Sequence, residues 1–172
     1  MNPNPKSHQG TSSAASPATP RPKSARRRSR ELVLQGLYEW QLSRADISIV
    51  RSHMREQDEF SKCDSTMFDA LLQGCIEQAL ALDILLTPHL DRPIVELSPI
   101  EHGVLLIGLY ELQHCVDVPY RVAINEAVEL AKSFGGTDGH KYVNGVLDKA
   151  AMDLRPTEVA AQRIARSAPR GE

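Results

Sequence analysis

Apolar residues recur along most of this chain three and four positions apart, the spacing that lays one stripe along a helix. No run alternates at the two-residue period of a strand. The pattern begins between Ser24 and Arg30 and runs to about Ser43, with a stripe of Val33/Leu34, Leu37, Tyr38 and Gln41/Leu42. Trp40 beside it belongs either to the core or to a partner contact. Asp46 is placed to cap a second, moderately amphipathic helix to about Phe60. Asp64-Ser65 opens a third, whose stripe is Phe68, Leu71, Leu72, Cys75, Ile76, Ala79, Leu82 and Leu86, until Pro88 ends or kinks it. Gly74 inside it marks either a close helix approach or a tolerated glycine, and Arg92-Pro93 reads as a linker.

Ser98-Pro99-Ile100-Glu101 is the clearest helix start, with Ser as N-cap, Pro at the first position and Glu at the third, a capping box. The helix that follows, to about His114, is apolar nearly all round and is expected at the centre of a bundle. Pro119–Ala151 then reads as two helices and a glycine turn. Ala123, Ala127, Leu130, Ala131 and Phe134 form the first stripe, and Val143, Val146, Leu147 and Ala150 the second. Gly135-Gly136 is expected to end the first helix in the left-handed conformation, and Asp138 to cap the second. The fold class is therefore all-α, a compact bundle of six or seven helices. Residues 1–24, rich in Pro, Ser and Ala, are expected to be disordered, 25–152 to form the domain, and 153–172, where periodicity fades, to be a frayed tail.

Composition adds an asymmetry to this picture. The formal net charge is only −2, yet the first 30 residues carry Lys6, Arg21, Lys23, Arg26, Arg27, Arg28 and Arg30 and no acid. A basic arm on an acidic body suits a polyanionic partner. Cys63, Cys75 and Cys115 form no CxxC pair and are expected to be buried, reduced thiols in a cytoplasmic protein. No apolar run reaches the length of a membrane span, and the N-terminus lacks the apolar core of a signal peptide.

The Arg26–Arg30 run is the strongest chemical feature. Cations at a helix N-terminus oppose its dipole, so the run does not serve helix stability. It is either a solvated tail or a phosphate clamp, since guanidinium forks hold phosphates and stack on bases. A second cluster, Lys132, His140, Lys141 and Tyr142, gathers at the glycine turn and suits single-stranded nucleic acid. The helix start at Asp138–Lys141 either holds one phosphate or is simply capped. The glycine-rich turn lacks Walker spacing, the histidines are dispersed, and no nucleophile motif occurs, so neither a nucleotide site, a metal nor catalysis is expected.

Three blocks resemble the NusB family of transcription antitermination factors: ARRRSRELVLQGLYEWQL at Ala25–Leu42, LYEL followed by Asp117-Val118-Pro119, and VAINEAVELAK through HKY and VNGVLDK at Val122–Lys149. The resemblance spans about residues 25–152. It implies two three-helix bundles, no enzymatic activity and no cofactor. It also implies binding of the boxA RNA of ribosomal operon transcripts together with NusE, a small-subunit ribosomal protein, in a complex that carries RNA polymerase past terminators. By the same resemblance, Arg26, Arg27, Arg28 and Arg30 contact RNA, as do Asp138, Lys141 and Tyr142, with Tyr142 stacking on a base. Glu101 and part of the third helix face NusE, so charge reversal of Glu101 should weaken NusE binding at nearly unchanged melting temperature. The alternatives are a helical protein-interaction module without RNA contact and the NusB-like domain of an RNA methyltransferase.

Overall fold

Short-range capping decides where half of the helices begin. The computed structural model describes Met1 and residues 23–167. The expected disorder of 1–24 and the last residues of the expected tail therefore lie almost wholly outside the described residues. Among the described residues there are eight α-helices and no strand. They are α1 (Ala25–Ser43), α2 (Ile47–Arg55), α3 (Ser65–Glu77), α4 (Ala79–Leu86), α5 (Pro99–His114), α6 (Tyr120–Phe134), α7 (Gly139–Leu154) and α8 (Pro156–Ser167). Ser24, Asp46, Asp64 and Ser98 each cap a helix with the side chain, and the Ser98–Glu101 capping box is closed in both directions.

The helices pack as two groups. α1 lies against α2 and α3, α5 lies against α6 and α7, and α1 against α5 joins the two. α5 is central: every residue from Gly103 to Leu109 is buried, as are Glu111 and Leu112. Its apolar circumference is therefore consumed by the protein's own core. Only its two ends are accessible, the first turn and the last turn with His114.

The expected stripes hold in the middle of the helices and fail at their ends. Leu34, Leu37, Ala123, Ala127, Leu130, Val143 and Leu147 are buried. Tyr38, Leu42 and Phe134 are exposed. The second helix ends at Arg55, and Phe60 falls in a separate 3-10 turn (Asp58–Lys62), where it meets Phe68 edge-on with ring centroids 5.2 Å apart. The third expected helix is two helices. The chain bends by 72° at Gln78, ten residues before Pro88, which swings Leu82 and Leu86 into the core. Among the described residues no single helix is long and apolar enough to cross a membrane, and this bent pair buries Phe68, Leu71, Leu72, Cys75, Leu82 and Leu86 while leaving Leu80 and Ile84 exposed. The bend and α8 raise the count from the expected six or seven to eight.

Residues 153–167 correct the expectation of a frayed tail. α7 continues to Leu154 and α8 follows at once, with Pro156 opening it. α8 buries only Val159, so its anchor is polar. The Glu158 carboxylate accepts from the Tyr120 backbone N–H at 2.9 Å and from Arg155 at 2.8 Å. Of the three thiols only Cys75 is fully buried; Cys63 and Cys115 are half-buried. Burial pushes the Cys75 thiol well above its ordinary value.

Candidate nucleic-acid interface

The four arginines of the basic run occupy the first two turns of α1, and the structure gives them different employments. Arg26 is exposed and has no carboxylate partner among the described residues. Arg27 reaches Glu129 on α6 at 3.2 Å and Glu31 at 3.8 Å. Arg28 reaches Glu59 at 3.2 Å and also donates to the Lys23 carbonyl. Hydrogen bonds hold both carboxylates below their usual range, Glu59 through Lys62 and then Arg28, Glu129 through Lys132 and then Arg27.

Arg30, expected from the run to contact RNA, is buried in this fold, apart from the exposed and half-buried arginines before it. Its side chain is only 4% exposed. Nε and Nη2 form a fork onto Glu111 at 2.9 and 2.6 Å, and Nη1 stands 3.5 Å from Glu126. Burial opposes its charge, but the bond to Glu111 and the attraction of Glu111 and Glu126 outweigh this and hold the guanidinium above its ordinary value. The signal was in the sequence: Arg30 stands four and seven residues before Leu34 and Leu37, on the core stripe.

The glycine turn departs from expectation in chemistry, though not in place. Gly135 is extended, with φ −91° and ψ −179°, and none of the described glycines has positive φ. It is required for another reason: a Cβ there would stand 2.7 Å from the Ala131 carbonyl. Asp138 caps nothing with its side chain. Its carboxylate pairs with Lys141 Nζ at 2.9 Å, both groups well exposed. The backbone N–H groups of Gly139 and Lys141 already donate to Gly136 and Asp138 carbonyls, both at 3.1 Å. The helix start is therefore not an open phosphate cradle, and Asp138 acts against an anion. Replacing Asp138 with Asn should release Lys141, remove a repelling charge and tighten RNA binding by a few-fold, since an exposed pair is worth about 0.2–1 kcal/mol. Titration of one short RNA against both proteins checks this, and weaker binding by the variant would make Asp138 a direct RNA contact.

Tyr142 is half-buried, and the Arg92 guanidinium lies over its ring at 4.5 Å from the centroid. Arg92, read from sequence as linker, thus joins the corner. Burial, and then the adjacent Asp91 carboxylate, push the Tyr142 phenol above its ordinary value. Glu101 sits at the foot of the same corner, its Oε1 3.6 Å from where a Cβ on Gly139 would lie. Its other oxygen accepts from the Ser98 N–H at 3.0 Å and hydroxyl at 2.9 Å. Charge reversal there would break the box, so the melting temperature would fall with about 0.5–2 kcal/mol of lost capping, contrary to the sequence expectation.

The two clusters stand at opposite ends of α5. Arg30 meets Glu111 and Gly139 meets Glu101, ten residues apart, or about 15 Å along the helix. Between α1 and α6 opens a mostly apolar concavity of about 350 Å³ lined by Leu34, Gln35, Tyr38, Ile100 and Phe134. Tyr38 is 43% and Phe134 38% exposed. Sequence periodicity placed both rings in core stripes, and only the packing turns them outward. Exposed rings suit unpaired bases, and the one charged group lining this concavity is the Glu39 carboxylate.

A model of the NusB family matches residues 27–152. The chain belongs to the NusB family. The transcription antitermination protein NusB of Ralstonia nicotianae is 59% identical over 150 residues, which cover 86% of this chain and 97% of that one. The NusB of Bordetella pertussis is 55% identical over 143 residues, covering 81% and 93%. Among solved structures, a T. maritima NusB superposes with a TM-score of 0.70 at 29% identity, covering 80% of this chain and 99% of that one. A NusB solved with NusE and double-stranded RNA matches with a TM-score of 0.64 at 20% identity over 74% and 96%, which speaks for the NusB fold alone.

Proposed function

We propose that this chain acts as its NusB relatives are named, as a transcription antitermination protein. It binds the boxA RNA of ribosomal operon transcripts with NusE and helps RNA polymerase pass terminators in the cytoplasm. It is not an enzyme. The observation that carries the RNA reading is a surface bearing Arg26–Arg28 at one end, Tyr38 and Phe134 between, and Lys141, Tyr142 and Arg92 at the other. Cations hold phosphates there and rings take bases, with a base displacing Arg92 from the face of Tyr142. NusE is assigned the first turn of α5 at Glu101 and the exposed Leu80 and Ile84 of α4.

Filter binding of a short boxA RNA, with and without NusE, tests the reading. Tighter binding with NusE supports it, and no RNA retention in either case leaves a helical protein-interaction module instead. Replacing Arg27 and Arg28 with Ala should flatten the log–log salt dependence by up to about 1.4, at about 0.7 for each single-strand phosphate released. An unchanged slope would reduce the run to a solvated tail.

A further inference from the structure

A second concavity, of about 400 Å³, lies between the first turn of α1, the start of α3 and the last turns of α5. Of the residues assigned to RNA above, only Arg26 lines it. Tyr110 and His114, one turn apart on α5, form its aromatic wall, with ring centroids 4.6 Å apart and planes inclined by 37°. The tyrosine is seated on α3, because a Cβ on Gly74 would collide with its ring. His114 is exposed, yet its Nε2 lies 2.8 Å from Gln78 Oε1 at the α3–α4 bend. The imidazole is thus fixed from two sides while its surface stays open to solvent. Fixing a ring before binding removes an ordering cost at the moment of contact.

Charge is arranged to match. Arg26 is the arginine of the run that spends no charge on a carboxylate among the described residues, and it stands at the edge of this concavity. Asp64 lines it too, with Oδ1 capping α3 through the Met67 N–H at 3.0 Å. An anionic wall disfavours phosphate on that side and leaves the aromatic side to a neutral base.

We propose that this concavity is a subsite for one nucleotide of single-stranded RNA, its base against the Tyr110–His114 pair and its phosphate on Arg26. The proposal rests on the RNA-binding reading above. It extends the RNA path onto the α3–α5 face, at the end of α5 remote from Tyr142.

The test is a boxA oligonucleotide carrying 2-aminopurine at successive positions, whose fluorescence falls when the labelled base stacks. One position is expected to be quenched by the unmodified chain, to recover with His114→Ala and to stay quenched with His114→Phe. Loss of that stack should weaken binding roughly ten-fold. Arg26→Ala should weaken binding and flatten the salt slope by about 0.7 without restoring fluorescence at other positions. RNA that binds normally with no labelled position responding to residue 114 overturns the subsite alone. A chain that binds no RNA overturns the functional reading as well. Because His114 is exposed, its variants keep the fold; a melting curve for each confirms that quenching is compared between folded proteins.

Discussion

Replacing Arg30 with Ala is expected to destabilise the fold by about 3–5 kcal/mol, the usual cost of removing one partner from a buried ion pair. Glu111 is 1% exposed and would be left charged and without its fork. The pair itself contributes far less, because desolvating two ions costs nearly as much as their attraction returns. Hence a double replacement, Arg30→Met with Glu111→Leu, should recover most of the loss. Urea denaturation of the three proteins decides the matter. RNA affinity of the single variant, measured below its melting transition, should fall much less than that of the Arg27/Arg28 variant. Near-native stability combined with a large loss of RNA affinity would return Arg30 to the binding surface.

The second large effect is expected at Arg155, where sequence reading saw only the beginning of a tail. Its buried guanidinium donates Nε to the Leu112 carbonyl at 2.6 Å and Nη2 to the Cys115 and Glu111 carbonyls at 2.9 and 3.3 Å. The Glu111 and Cys115 carbonyls also accept from the Cys115 and Val118 N–H groups, at 3.0 and 2.9 Å, so the Leu112 carbonyl is the one of the three that depends on Arg155. Nη1 holds Glu158, which in turn caps the first turn of α6 through Tyr120. Arg155→Ala should cost about 1–3 kcal/mol, the usual cost of leaving one buried acceptor unpaired. The loss should be local first: hydrogen exchange should speed up in α8 and the first turn of α6 before it does in α5. Arg155→Lys should rescue little, because one ammonium cannot span the fork. A loss under about 1 kcal/mol would show that water serves those carbonyls as well as the guanidinium does.

These two arginines mark where the sequence stops being readable. Most signals that act within four residues were legible: the caps at Asp46 and Asp64 and the box at Ser98–Glu101 formed, while the cap expected at Asp138 did not. Arg30 and Arg155 take partners 81 and about 40 residues away, and nothing local announces such a pairing. The bend at Gln78 has no Pro or Gly to mark it, and packing against α5 decides it. α8 was missed because a helix held by one arginine and one glutamate needs almost no apolar stripe. In the site, Arg26–Arg28, Lys141 and Tyr142 were legible as clusters of charge and ring. Tyr38 and Phe134 were not, because periodicity gives a helix face and not what covers it.

The pairing of Arg27 with Glu129 and of Arg28 with Glu59 changes what the arm presents to solution. Each of these two guanidiniums is held in place by a carboxylate from another element, so part of their charge is already answered at rest, while Arg26 keeps its own. An arbitrary polyanion meets less long-range attraction there than a fully unpaired run would exert. On the proposed RNA reading, a phosphate arrives in register and evicts a carboxylate that then stays nearby, returning part of the charge just neutralised. The salt dependence of binding should therefore undercount the phosphates in contact. Such a surface trades raw affinity for discrimination: it ranks polyanions by shape and spacing, where an unpaired arginine cluster would rank them by charge.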